Sequence, residues 1–320
     1  LKKIGVVTSG GDAPGMNAAI RAIVRSAVPK RCEVVGFERG YEGLVRNQAR
    51  SLGLRSVSGI VQLGGTILHT VRSARFEEPD GPQEASRSLK ANAAEGLIVI
   101  GGDGSLRGAL ELSRSSGVPV IGVPATIDND VFGTEETVGF DTAVNTALTA
   151  IDKIRDTAVS HERVFVVEVM GRQRGFLALT VGLTAGAEII LVPEAQVDLP
   201  SVIEKLREAR VKGKRSSIIV AAEGVTDCRA LTAEIARKTG YDARLTTLGY
   251  VQRGGNPTAR SRLLACLFGA EAVDLLLSGV ENVVVGLADG RVSTTDLALS
   301  CSREKPLNLD LLRLAERLAA

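Results

Sequence analysis

No tryptophan occurs in the chain, and Phe, Tyr and Trp together make up only 3% of its 320 residues. That removes the aromatic platforms on which single-strand nucleic-acid binders stack bases. Histidine occurs only as His69 and His161. Paired histidine ligands for zinc are therefore absent, and neither residue sits in the setting of a Ser-His-Asp hydrolase. The four cysteines, Cys32, Cys228, Cys266 and Cys301, are scattered with no C-x-x-C pair. They read as reduced, buried thiols of a cytoplasmic protein. Neither sign of charge dominates: 39 basic and 37 acidic residues leave a net charge of +2, with no long charged block. A role on nucleic acid or at a membrane surface has no electrostatic support. No apolar run is long enough to span a bilayer. The opening LKKIGVVTSGG already reads as a strand and turn, not as a signal peptide.

What the chain does have is apolar sequence, 44% of it, enough for one large domain or two of moderate size. The most informative stretch is 97–130. Leu97-Ile98-Val99-Ile100 and Val118 to Val123 are continuous apolar runs, as in parallel strands buried on both faces. Ser105 to Ser116 between them has the length of a crossover helix. The first run stops at a glycine turn carrying Asp103, the second at a loop carrying Asp128 and Asp130. Parallel neighbours end at one sheet edge, so three carboxylates and a glycine turn meet where open α/β sheets place their ligands. Carboxylates beside a glycine turn suit a magnesium-bound polyphosphate.

The same logic recurs along the chain. Ile4 to Thr8 predicts a strand, and Ser9 to Gly15 a glycine turn opening a helix whose N-terminus favours phosphate. Met16 after Gly15 rules out the Walker motif, and the turn is not G-x-G-x-x-G. Arg21 and Arg25 share one face of that helix, as a solvated face or as a second anion site. Further strands are predicted at Glu33 to Phe37, Arg163 to Val169, Glu188 to Val192, Ser217 to Ala221, Leu245 to Val251 and Val283 to Gly286. Helices are predicted at Asp141 to Ser160, Ser201 to Val211, Cys228 to Lys238, Arg260 to Leu277 and Leu307 to Leu318. Gly40 to Gly43 reads as a loop, and residues 77–86, polar with two prolines, as a surface excursion. Near-unbroken alternation of strand and helix means an α/β protein with parallel sheets. The strands are too many for one sheet, so two doubly wound domains are expected, with the active site in the cleft between them. Gly11, Asp103, Thr126, Asp128, Asp130, Arg172, Glu223 and Arg253 all fall at strand-to-loop junctions. Phosphoryl transfer needs such a set: metal-holding carboxylates, a base for an incoming hydroxyl and cations for the phosphates.

The motifs GGDAPGMNAAIR, GGDGS, TIDND, VEVMGR and QRGG stand in this order. Through them the chain resembles the bacterial ATP-dependent 6-phosphofructokinase family along essentially its whole length. The resemblance implies a domain of residues 1–139 plus 252–302 for ATP, and one of 140–251 plus 303–320 for the sugar phosphate. It implies Asp128 as the base for the sugar 1-hydroxyl, Asp103 holding Mg2+, and Asp130 close to both. Thr126 and Arg172 would contact the transferring phosphoryl group. ATP would lie against Gly11, Tyr41, Arg75, Phe76, Gly102, Gly104, Ser105 and Gly108. Met170, Gly171, Glu223 and Arg253 would line the fructose 6-phosphate site.

Arg163 and Arg244 stand ahead of the apolar runs of their strands, at the amino edge. A seven-residue strand spans roughly 23 Å, so they serve as surface charges or as donors to a neighbouring subunit. The resemblance implies the second: both bind the 6-phosphate across an interface of a homotetramer with shared active sites. It further implies an effector site for ADP and phosphoenolpyruvate from Arg21, Arg25, Arg155, Gly186, Glu188, Lys212, Lys214 and Arg215.

Three departures from the family pattern stand out. Tyr250 replaces a substrate-contacting histidine, and Leu54 an effector-site arginine. The GGTILHTVRSARF loop is longer than usual, so Arg75 and Arg72 compete for the ATP contact. Gly104 and Ala125, where diphosphate-using relatives tend to have Asp and Lys, leave room for a nucleotide and favour ATP. The alternatives are a diphosphate-dependent enzyme, a tagatose 6-phosphate kinase, or a catalytically silent sugar-phosphate sensor.

Overall fold

The computed structural model describes residues 1–319. The chain forms two compact units: Leu1–Thr142 with Arg253–Lys305, and Ala143–Gln252 with the segment from Pro306 on. The sequence reading places the crossings after residues 139, 251 and 302.

The first unit holds β1 (Lys3–Thr8), β2 (Glu33–Phe37), β3 (Ala49–Leu52), β4 (Leu97–Gly101), β5 (Val120–Thr126), β6 (Val138–Gly139), β11 (Val283–Ala288) and β12 (Arg291–Asp296). They form one sheet in the order β12-β11-β5-β4-β1-β2-β3, with β6 beside β5. All pairings are parallel except β2 with β3 and β11 with β12. The apolar runs fix the register. Alternate residues Val7, Val35, Phe37, Leu97 and Val99 join one core with helices α2 (Gly40–Val45), α4 (Gly81–Ala91), α5 (Asp103–Ser116) and α11 (Leu297–Ser302). The other alternates, such as Ile4, Val6, Ile98 and Ile100, are buried on the opposite face. On the helices, α1 (Met16–Ala27) packs along α10 (Ala259–Leu277). The sheet is therefore doubly wound. A short helix, α3 (Ala74–Glu77), is capped by Ser73.

The second unit is a parallel four-stranded sheet, β10 (Asp242–Thr247), β7 (Arg163–Val169), β9 (Ser217–Ala222) and β8 (Ile189–Leu191) in that order. Helices α8 (Leu199–Val211) and α9 (Cys228–Thr239) share a core with β7, β8 and β9 through Val166, Ile219, Leu206 and Ile235. Helix α7 (Phe176–Thr184) contacts β8, β9 and α12 (Leu309–Leu318). Helix α6 (Phe140–His161) carries the chain across the first crossing.

Three sequence expectations are corrected. Gly40 to Gly43 begins helix α2 and is not a loop. A Cβ at Gly43 would sit 1.5 Å from the Glu38 carbonyl oxygen, so glycine marks a close backbone approach there. Residues 77–86 run into α4, because Pro82 lies in the first turn, where its missing N–H costs nothing. The strand expected at Leu245 to Val251 instead begins at Asp242 and ends at Thr247. Residues from Gly249, at φ +54°, coil into a 3-10 turn. Arg244 consequently lies inside its strand, although still toward the amino end.

Candidate active site

Three parallel strands of the first unit end together: β1 at Thr8, β4 at Gly101 and β5 at Thr126, with Thr8 opposite Ile100 and Gly101 opposite Pro124. Their turns therefore share one edge. Gly10 runs through left-handed backbone, and a Cβ there would lie 2.8 Å from Ser105 Oγ. A Cβ at Gly11 would lie 2.8 Å from the Arg253 guanidinium. The Tyr41 hydroxyl donates to the Ser105 carbonyl over 2.6 Å, and its ring stacks on Phe76 with centroids 4.1 Å apart. Gly108 packs against that pair, with room for no Cβ, since one would approach the Tyr41 ring to 2.8 Å. The structure thus brings Gly11 to Arg253, and Tyr41, Phe76, Ser105 and Gly108 into one group.

Gly102 caps α5 and its carbonyl accepts from the Ser105 amide at 2.9 Å; Asp103 and Gly104 open the first turn, where helix N–H groups lack intrahelical partners, an arrangement suited to phosphate. Asp103 Oδ2 accepts from Arg107 Nε over 3.0 Å. The buried Ser105 hydroxyl has no hydrogen-bond partner among the described residues. No heavy atom lies within 4 Å of where a Cβ on Gly104 would project, apart from its chain neighbours and its own helix backbone. Arg75 is held by Asp80 and Glu84 at 2.6 Å each, and also by Glu78. Arg72 is exposed.

The Asp103 turn adjoins the Asp128 turn: a Cβ on Gly102 would lie 3.2 Å from the Thr126 Cβ. Thr126 Oγ1 accepts from the Asp128 amide at 3.2 Å, and the Thr126 carbonyl accepts from the Thr137 hydroxyl at 2.6 Å. Asp128 is 4% exposed. Between the two aspartates, Asn129 has left-handed backbone, φ +52°. Its Oδ1 accepts from the Thr137 amide at 3.0 Å, its Nδ2 donates to the Glu135 carbonyl at 3.2 Å, and its own carbonyl accepts from Lys305 Nζ at 2.9 Å.

In the second unit, β7 ends in Met170-Gly171-Arg172, with φ of +136° at Gly171 and +54° at Arg172. This left-handed pair is held from both sides. The Met170 amide donates to Gln252 Oε1 at 2.9 Å, and the Arg172 amide to Glu223 Oε1 at 2.7 Å. Tyr250 is 78% exposed. At the other end of the sheet, Arg163 and Arg244 share the carboxylate of Asp242, at 2.6 and 2.9 Å. Arg163 chiefly holds the Asp242 carboxyl below the usual carboxylate range; desolvation opposes it, and Arg244 adds to the lowering.

Among the expected effector residues of this unit, Arg155 donates to the carbonyls of Ala185 and Gly186, and Lys214 Nζ lies 2.9 Å from Glu188. Arg215 turns to Glu162 instead, and Lys212 is exposed. Arg21 and Arg25 lie on α1 of the first unit, with Leu54 exposed in the same unit.

Sequence reasoning missed four residues: Asn129, Asp242, Gln252 and Lys305. Gln252 lies inside the QRGG motif, which was the only signal for it. Asn129 lies inside the TIDND motif, and Asp242 and Lys305 carry no motif.

Magnesium fits the donor set. No group of three His, Cys, Asp or Glu able to hold a metal occurs among the described residues. Mg2+ needs no such cage, since it is commonly held by one or two carboxylates and substrate phosphates. Asp103 would offer an oxygen ligand beside the orphan Ser105 hydroxyl and the open helix N-terminus.

A doubly wound sheet with acidic and glycine turns at its carboxyl edge is the architecture of an α/β nucleotide-dependent phosphotransferase. The comparison with known families is more specific. The phosphofructokinase family (PFK: Phosphofructokinase) matches residues 3–276, and the chain belongs to that family. It is 54% identical over 321 residues to ATP-dependent 6-phosphofructokinase 1 of Thermus thermophilus, covering 100% of both chains. It is 49% identical over 319 residues to the ATP-dependent 6-phosphofructokinase of Brevibacillus brevis, again covering 100% of both. Among solved structures, phosphofructokinase from Saccharomyces cerevisiae superimposes with a TM-score of 0.86 at 35% identity. That match covers 94% of this chain and 45% of the yeast chain.

Proposed function

We propose that the chain is an ATP-dependent 6-phosphofructokinase, moving the γ-phosphoryl group of ATP to the 1-hydroxyl of fructose 6-phosphate. The products are fructose 1,6-bisphosphate and ADP, as in glycolysis. The observation that carries this reading is the pair of adjoining turns at one sheet edge. One is an open helix N-terminus with Asp103; the other is the rigidly held turn with Asp128.

In the proposed mechanism Asp128 accepts the proton of the sugar 1-hydroxyl. The freed oxygen forms a bond to the γ-phosphorus as the bond to the β-phosphate oxygen breaks, and that electron pair leaves with ADP. Such transfer depends on position and on fixed charge more than on covalent help. Arg172 and Thr126 take the charge that develops on the equatorial oxygens. Mg2+, held by Asp103 with Asp130 nearby, would neutralise charge on the β- and γ-phosphates when bound. The first turn of α5, Gly11 and the Tyr41–Phe76–Gly108 group hold the nucleotide. The open space at Gly104 and the small Ala125 favour ATP over diphosphate. Arg75 already faces three carboxylates, so the ion-pair geometry favours Arg72 for the phosphate contact.

The sugar phosphate is assigned to Met170, Gly171, Arg172, Glu223, Tyr250 and Arg253. Its 6-phosphate is assigned to Arg163 and Arg244 of a neighbouring subunit in a homotetramer. Arg21, Arg25, Arg155, Gly186, Glu188, Lys212, Lys214 and Arg215 are assigned to an effector site for ADP and phosphoenolpyruvate. Among the described residues no helix is long and apolar enough to cross a membrane, and we place the enzyme in the cytoplasm.

A coupled assay with fructose 6-phosphate and magnesium, comparing ATP with diphosphate, tests the reading. Product with ATP alone is expected. Product with diphosphate would overturn the donor assignment, and no product with either would overturn the function.

A further inference from the structure

We propose that Lys305 is a positioning residue for Asp128, holding the Asp128-Asn129-Asp130 turn in its left-handed form; this rests on the function proposed above. A left-handed backbone costs a residue with a Cβ on the order of 1 kcal/mol or more. Asn129 adopts it between the two aspartates; asparagine tolerates this backbone better than most residues, and the bonds around it set how tightly the turn is held. Two restraints are local, from the Asn129 side chain to the Thr137 amide and the Glu135 carbonyl. The third comes from far along the chain. Lys305 Nζ donates to the carbonyls of both Asn129 and Glu135, at 2.9 Å each.

An ammonium is well suited to this. It carries three donors and a charge, so it bridges two carbonyls with hydrogen bonds stronger than neutral ones. The two bonds tie the start of the loop to residue 135, where the main chain is fixed independently. The Glu135 amide donates to the Leu287 carbonyl at 2.9 Å, and Glu135 Oε1 accepts from the Asp289 amide at 2.7 Å. The Asn129 carbonyl is thereby referred to the β11–β12 hairpin. Rotating its peptide plane would strip one bond from a half-buried ammonium. Burial pulls the Lys305 ammonium down to about 8, and the carboxylates of Asp130, Glu136 and Glu135 act in the opposite direction. A residue kept at that cost of desolvation and aimed at two carbonyls of the turn is a clamp. A misplacement of about 1 Å at a reacting group can cost about 100-fold in rate, so a loosened turn shows in turnover before binding.

The test compares Lys305→Met and Lys305→Arg with wild type in the full-length enzyme. It reads kcat and both KM values, with amide hydrogen exchange across residues 128–137. Lys305→Met is expected to lower kcat by about tenfold, the scale of one charge-assisted hydrogen bond. Both KM values should stay within about threefold, and exchange at Thr137 should speed up. Lys305→Arg, which keeps charge and donors, should recover most of the kcat. If Lys305→Met does not fold, Lys305→Gln, which keeps one donor group, takes its place with the same expectations. An active wild type whose Met variant keeps kcat and exchange unchanged would overturn the clamp. So would a loss confined to KM, or one that Arg fails to restore while exchange stays slow. An inactive wild type sinks the kinase reading instead, and the exchange comparison then decides the clamp by itself.

Discussion

Arg163 and Arg244, on neighbouring parallel strands, are joined through one carboxylate: Asp242 lies 2.6 Å from the first and 2.9 Å from the second. The register of β7 with β10 sets this, because Asp242 pairs with Arg163 and Arg244 follows two residues on along the same face. The two guanidinium groups are thus held side by side, as a shared phosphate contact requires. Replacing either by Ala is expected to raise the KM for fructose 6-phosphate by about tenfold or more while leaving kcat within about threefold. A fall in kcat with unchanged KM would remove them from phosphate binding. The pair also has a pH signature. Asp242 is depressed by its arginines, so its stabilising effect is complete above the unfolded carboxylate value and is lost as pH falls through the folded one. Asp242→Asn should therefore differ from wild type in unfolding midpoint at neutral pH and converge with it in acid.

Asp128→Ser is expected to lower kcat by about 100- to 10,000-fold with both KM values largely kept, the effect of removing a positioned base. Steady-state kinetics with ATP check it. Turnover near that of wild type would take the base role away from Asp128.

The nucleotide contact can be assigned by contrast. Arg72→Ala should raise the KM for ATP about tenfold. Arg75→Ala should mainly lower the melting temperature, because it unties Glu78, Asp80 and Glu84 around the start of α4. The reverse pattern would return the contact to Arg75.

Gly104→Asp should fold normally, since no other heavy atom beyond its own helix backbone and chain neighbours lies within 4 Å of the added Cβ. It should nonetheless lower kcat/KM for ATP by about 100-fold or more, through repulsion between like charges built into the nucleotide's path. Unimpaired use of ATP by this variant would show that the space at Gly104 is not occupied by nucleotide.

Lys305 predicts a pH dependence of stability with a definite sign. Its folded value, about 8, lies below the ordinary 10.5, chiefly through burial. Between those values the unfolded chain binds the proton more readily, so stability from this group rises with pH across that window. Urea unfolding of wild type and Lys305→Met at several pH values should show wild type gaining on the variant from pH 8 upward. A constant difference would contradict it.

Much of this was legible in local sequence. The strands at Glu33–Phe37 and Arg163–Val169 are mainly apolar runs with sharp ends, and the structure has them there. The Asp103 and Asp128 turns could be placed at one edge because parallel strands must end together. The strand near residue 245 was shifted because Tyr250 and Val251 read as apolar strand residues. Gly249 turns the chain before them, and pairing with β7 starts the strand at Asp242. Lys305, and the reach of Gln252 beyond its QRGG motif, were illegible for a different reason. Their partners lie 176 and 82 residues away, and no period or motif announces a contact of that range. The assignments at Arg72 and Arg75 depend on which carboxylates fold back onto which guanidinium, which is tertiary information.

The threefold crossing of the chain between its units bears on the order in which the protein can be completed during synthesis. All four strands of the second unit lie between Arg163 and Thr247, so its sheet can close while the ribosome is still translating. The larger sheet must wait. The outer edge of β5 at Ile121 and Gly122 finds its partner only when Val283 and Val284 emerge. Until then an apolar edge stands open, the kind of surface through which nascent chains pair wrongly. Truncations ending before residue 283 should therefore aggregate even though they encode every proposed catalytic residue.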